Sequence, residues 1–176
     1  MVQDTSLVRF FESELGSCLL VKEQEKIRRE AKVIHLGNEE FFELNSPRDT
    51  YICLTGTVFL AQDSGHKMLI TSICLEGHII NISSVYGMGG LSNVGIVKSN
   101  NATVLKLPSD LIDKLKLENS TFNQKIGYQV GERLDQLERF AKLLSEGQQQ
   151  KIADLLLLLS FSFGYNSSGI VILEKF

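Results

Sequence analysis

Residues 50–80 read TYICLTGTVFLAQDSGHKMLITSICLEGHII. Apolar and β-branched residues run through the whole stretch, and Asp63-Ser64-Gly65 interrupts it between two β-rich segments. Gly65 supplies the positive φ that a tight connection needs, so the stretch predicts a β-hairpin. Further short apolar runs broken by turn residues lie on both sides: AKVIHLG and EEFFEL before it, HIINI at its end, VGIVKS and ATVLKLP after it. Regular short strands of this kind predict an antiparallel sandwich or jelly roll. Folding the hairpin about its turn is expected to bring Cys53 and Cys74 opposite each other, a geometry open to a thiol–disulfide switch that a reducing compartment disfavours.

Helical spacing takes over at both ends. Leu7, Phe10, Phe11 and Leu15 predict a short amphipathic helix stopped by Gly16, and LLVKEQEKIRRE a second helical piece. Together they form an N-terminal lead over residues 1–30, followed by the roll over 31–117. Pro108-Ser109-Asp110 punctuates the end of the strands, and LIDKLK makes a short helix. Ser120 is then expected to cap a long helix spanning 118–146. Along it Phe122, Ile126, Val130, Leu134, Leu137, Ala141 and Leu144 form one apolar seam, which predicts pairing with a second copy as a homodimer. Gly127 and Gly131 border the seam and each costs about 1 kcal/mol of helix propensity, so close approach of a neighbour is the expected compensation. Ser145 and Gly147 read as a hinge. Residues 147–176 then hold a second apolar helix ending in LLLLLSFSFG, the turn YNSSG and the strand GIVIL.

Composition bounds the function. At 176 residues, 43% hydrophobic and 22% charged, with two prolines, the chain has the makeup of a folded globular protein with one main core. A formal charge of -3 leaves no basic footprint for nucleic acid in these residues themselves. The start has neither the basic region nor the long apolar run of an export signal, and no stretch has the ~20 apolar residues of a membrane span, so the expectation is a cytoplasmic protein with no membrane partner. Cys18, Cys53 and Cys74 are few and far apart, unlike a disulfide scaffold or a zinc or iron–sulfur site. No metal is expected.

Residues 77–90, GHIINISSVYGMGG, raise the question of a phosphate cradle. From Gly90 to Gly95 the interval is that of a P-loop, but Ile96 and Val97 stand where Lys and Ser/Thr are required. ATPase and kinase readings fall there.

The order of elements, with Gly37, Tyr51-Ile52, Gly56 in LTGTV, Gly65 and Gly77 as anchors, resembles the Crp/Fnr family of bacterial transcription regulators over nearly the whole chain. The resemblance implies a mainly β chain with α elements: an antiparallel jelly roll like a cyclic-nucleotide-binding domain, short N-terminal helices, a long dimerisation helix, and the start of a winged-helix domain over 147–176. It implies an effector-binding roll and a homodimer on palindromic DNA, held through a C-terminal domain of which this chain carries only the opening. On this reading the chain is a fragment of a longer regulator or a natural sensor-only form.

Cyclic-nucleotide binders of that family hold the ribose with a Gly-Glu pair and the phosphate with an Arg. Alignment outward from Gly77 puts Asn81-Ile82 at the first position and Ser92-Asn93-Val94 at the second. Without the Arg a charge-assisted contact of ~1.5–3 kcal/mol is lost, so binding of cyclic AMP is not expected. The loss of both charged groups resembles the PrfA-like branch, which implies glutathione, another small effector or other means of control. The effector-pocket candidates are Ile80, Asn81, Ile82, Ser83, Ser84, Tyr86, Gly87, Ser92 and Asn93. The competing expectation is a pocket filled by its own Ile79, Ile80, Ile82, Val85 and Tyr86, with no ligand and no cofactor. Occupancy of the roll, or its absence, would then bias how the long helices pair.

Other classes fit less well. A cupin enzyme needs paired histidines, whereas His35, His66 and His78 are isolated, and no Ser/His/Asp or Cys/His arrangement is legible, so no enzyme is expected. A stand-alone oligomerisation module without DNA binding is the alternative.

Overall fold

The computed structural model describes residues 5–37, 40–44, 48–63, 68–86, 93–97, 101–145, 164–167 and 170–173. Helices α1 (Thr5–Glu12) and α2 (Val21–Glu30) flank a 3-10 turn at Gly16–Cys18. Strands β1 (Lys32–Gly37), β2 (Phe41–Glu43), β3 (Thr50–Thr55), β4 (Val58–Asp63), β5 (Met68–Cys74), β6 (Asn93–Val97) and β7 (Asn101–Leu107) follow, then α3 (Ser109–Glu118) and α4 (Ser120–Ser145). The seven strands form two antiparallel sheets, ordered β1-β7-β3 and β2-β6-β4-β5.

Strands β3 and β7 explain the layering. Tyr51 and Cys53 of β3, with Ala102 and Val104 of β7, face inward, where they meet Val58, Leu60, Cys74 and Val97 of the second sheet. The alternate residues Ile52, Leu54, Leu105 and Leu107 point outward into a second core shared with Phe10, Ile27, Leu111, Leu115, Phe122 and Ile126. Both faces of β3 are buried, hence Tyr51 to Leu54 form an unbroken apolar run instead of alternating. Helices therefore cover one sheet, and the two sheets cover each other.

The expected TYICLTGTVFLAQ strand is two, broken at Gly56, whose φ of +82° turns the chain. The hairpin pairing of β4 with β5 is as expected, with residues 64–67 of its turn outside the described residues. HIINI is not a strand. Only Ile79 makes a bridge, to Ile52, and a 3-10 helix at Ile82–Tyr86 follows. Cys53 and Cys74 do not pair across one hairpin: Cys53 is registered with Val104 and Cys74 with Val58, in different sheets. The cap of α4 is Asn119 rather than Ser120, because the Asn119 side-chain oxygen accepts the Phe122 N–H at 2.9 Å. Its amide nitrogen also reaches the Cys18 carbonyl at 3.0 Å and the buried Glu23 carboxylate at 2.9 Å, tying the start of α4 to the N-terminal lead.

The chain divides into two compact units, residues 1–132 and 133–176, so the division falls inside α4. In the second unit β8 (Gly164–Ser167) pairs antiparallel with β9 (Ile170–Leu173). Tyr165 to Ser167 are thus strand where a turn was expected, and the apolar helix expected before them lies outside the described residues. Among the described residues no helix is long and apolar enough to cross a membrane.

Gly16 sits where a Cβ would lie 1.9 Å from the Phe10 carbonyl oxygen, with backbone on every near side. Gly16→Ala is therefore expected to destabilise the fold by about 1–3 kcal/mol, read from the midpoint of denaturant unfolding.

Candidate functional site

The segment from Gly77 to Tyr86 crosses the outer edge of β3. Gly77, with φ of +85°, donates its N–H to the Cys53 carbonyl at 2.8 Å; the Cys53 N–H goes to His78 at 2.9 Å and the Ile80 N–H to Tyr51 at 2.7 Å. Asn81 extends this ladder with its side chain. Its Oδ1 accepts the Tyr51 N–H at 2.8 Å and its Nδ2 donates to the Asp49 carbonyl at 2.7 Å. Lys106 holds the same corner through the Asp49 carboxylate at 2.9 Å, and that bond holds its ammonium above the usual lysine range.

The sequence-predicted pocket residues are mostly committed to the fold. Ile80 is fully buried between the sheets, and Ile82 packs on the helix-side core. Ser84 is buried, donates to the Asn81 carbonyl at 2.8 Å and lies 3.2 Å from the Thr50 hydroxyl. Ser83 is half-buried. Tyr86 is exposed with the Lys116 ammonium 5.3 Å from its ring centroid, and that ammonium also bonds the Val85 carbonyl. Asn93 pairs with Gln62 at the start of β6, while Gly87 and Ser92 lie outside the described residues.

The structure instead opens a cleft of about 410 Å³ where the end of α1, the turn at 76–78 and α4 meet, and none of the predicted pocket residues lines it. Glu12, Glu76, His78, Lys125, Gln129 and Glu132 are among its walls. Lys125 is held at the Glu14 carbonyl and 3.3 Å from the Ser17 hydroxyl. The His78 Nδ1 accepts the Leu75 N–H at 3.4 Å, which in the neutral ring leaves the proton on Nε2. Gln129 spans the turn: its Oε1 accepts the Ile79 N–H at 2.9 Å, and its Nε2 donates to the Gly77 carbonyl at 2.9 Å. Four glutamates against Arg9 and Lys125 give the cleft an excess of negative charge that opposes a phosphate.

The helix seam needs correction at its start. Phe122 and Ile126 are 0% exposed and belong to the core of their own roll, so they are not available to a second copy. Each i to i+4 step turns about 40° past a full turn, so the steps 122, 126, 130 and 134 carry the stripe around the helix. Val130 is half-buried, and Leu134 and Leu137 are 56% and 42% exposed. A Cβ at Gly127 or Gly131 would meet nothing within 4 Å beyond the helix's own neighbouring backbone, so among the described residues no other element packs on them. The side chains of Ala141, Leu144 and Ser145, and all of Gly147, lie outside the described residues.

Cys53 and Cys74 are free and buried, and burial, with Cys74 and Glu76 nearby, pushes the Cys53 thiol up to about 12. Among the described residues no group of His, Cys, Asp and Glu is placed to hold a metal ion.

No protein-family model and no curated protein matches the chain. Solved structures do. A CooA mutant from Carboxydothermus hydrogenoformans is similar with a TM-score of 0.70 and 16% identity, over 99% of this chain and 74% of that one. A cyclic nucleotide-binding domain containing protein from Listeria monocytogenes EGD-e gives 0.71 and 11%, over 97% and 77%. The sensor domain of the transcriptional regulator DNR from Pseudomonas aeruginosa gives 0.57 and 11%, over 73% and 92%. These likenesses define the fold: a jelly roll of the cyclic-nucleotide-binding-domain type with its flanking helices.

Two measurements check the site. Asn81→Ala leaves the buried Tyr51 N–H and the Asp49 carbonyl without their partner, and is expected to lower stability by roughly 2–4 kcal/mol in urea unfolding. For Cys53, the unfolded thiol ionises near 9.0 and the folded one near about 12, so its contribution to stability is full below pH 9.0 and lost as pH rises through about 12. Urea unfolding at stepped alkaline pH is expected to show that decline, and Cys53→Ala to flatten it.

Proposed function

We propose that the chain is the sensor and dimerisation portion of a Crp/Fnr-type transcription regulator of the PrfA-like branch. In this reading the whole protein binds palindromic DNA as a homodimer through a C-terminal winged-helix domain. Control comes from a small effector other than cyclic AMP, or operates with no ligand. One observation carries the reading: a roll with the fold of a transcriptional regulator's sensor domain bears a long helix on which Leu134 and Leu137 face solvent.

Three features support the details. The Gly-Glu and Arg positions are occupied by uncharged residues, and Asn81 is engaged by backbone on both ends of its amide. The cleft beside α4 carries net negative charge, which disfavours a cyclic phosphate. Leu134 and Leu137, one step of three apart on the outer face, match the spacing of a paired helix, and Gly127 and Gly131 leave room for a second backbone to come close. Dimer geometry would then set the spacing of two recognition helices at about 34 Å.

A chain carrying both Leu134→Glu and Leu137→Glu is expected to be monomeric by sedimentation velocity at concentrations where the parent is dimeric, with an unchanged circular dichroism spectrum. A dimer that survives both charges removes the helix pairing.

A further inference from the structure

Helix α4 meets the roll along one stripe, Phe122, Ile126 and Gln129, at spacing i, i+4 and i+7. The first two contacts are apolar and buried. The third is a carboxamide that takes both backbone groups of the turn, the Ile79 N–H and the Gly77 carbonyl, each at 2.9 Å. A carboxamide carries the donor and the acceptor this takes, whereas a carboxylate offers no donor to the carbonyl and an ammonium no acceptor to the N–H. Behind the turn the same peptides are bonded to β3, through Cys53 at 2.8 and 2.9 Å and through Tyr51 at 2.7 Å. An unbroken run of hydrogen bonds therefore leads from the sheet through the turn into the helix. One residue further on, the stripe of Val130, Leu134 and Leu137 begins.

We infer that Gln129 is a positioning residue that bridges the roll and α4 with its own side chain. It ties the first turns of α4 to the turn that leads into residues 80–86, and pairing of the helix depends on that tie. The inference rests on the dimer reading above. The carboxamide does not titrate, so the bridge carries no charge of its own.

The test compares the parent chain with Gln129→Ala and Gln129→Glu, with no compound added. Amide exchange at Ile79 by NMR reads the bridge, and sedimentation equilibrium reads self-association. The parent is expected to be dimeric with Ile79 protected. In Gln129→Ala, exchange at Ile79 should quicken at least tenfold while Cys53 and Ile80 stay protected, which shows the roll is intact, and the dimer dissociation constant should rise at least tenfold. Gln129→Glu keeps the acceptor and loses the donor, so it should fall between the two; it also serves if the alanine variant does not fold. Loss of Ile79 protection with an unchanged dissociation constant overturns the inference alone. An unprotected Ile79 in the parent does the same. A parent that stays monomeric while Ile79 is protected overturns the dimer reading and this inference with it.

Discussion

The burial of Phe122 and Ile126 against the outer face of β3 and β7 is the contact on which the remaining architecture depends. It brings a helix that has its own cap at Asn119 into the core of a β roll, and from that point the direction of α4 is no longer free. Its first two turns complete a core that α1, α2 and α3 alone leave open. Apolar residues that continue in steps of four cannot stay on one face of the helix, because each step rotates them about 40° further round.

The same economy runs through the strands. β3 and β7 serve two cores at once, one between the sheets and one under the helices, so a substitution in either strand is felt on both sides. Asn81 gives the clearest case of a side chain acting as backbone. Its carboxamide stands in for the next peptide of a strand that ends too soon, and so lets the chain turn into a 3-10 helix without stranding the Tyr51 N–H.

Much of the fold was legible in the sequence: the strands, the hairpin between β4 and β5, the two lead helices and the long helix all follow from period and turn residues. The misreadings have specific causes. HIINI has the composition of a strand, but its hydrogen bonds go to an edge and to side chains, which composition does not encode. TYICLTGTVFLAQ looked continuous because its break is a single glycine of positive φ. The seam was drawn by apolar character alone, so Phe122 and Ile126, which lie in the core of their own roll, were read together with residues further along the helix. Gln129 was passed over for the same reason: it is polar, and it sits on the stripe with Phe122 and Ile126. The cleft was not legible at all, since its walls come from α1, a turn and α4 at distant points of the chain.

The run of peptides from Gly77 to Asn81 along β3 also bears on how copies of this chain can meet. An unpaired strand at a sheet margin invites the strand of another molecule, and aggregation follows that route. Here the margin of β3 is closed by the chain's own backbone and by one asparagine amide. Edge-to-edge addition on that side is blocked before any second molecule arrives.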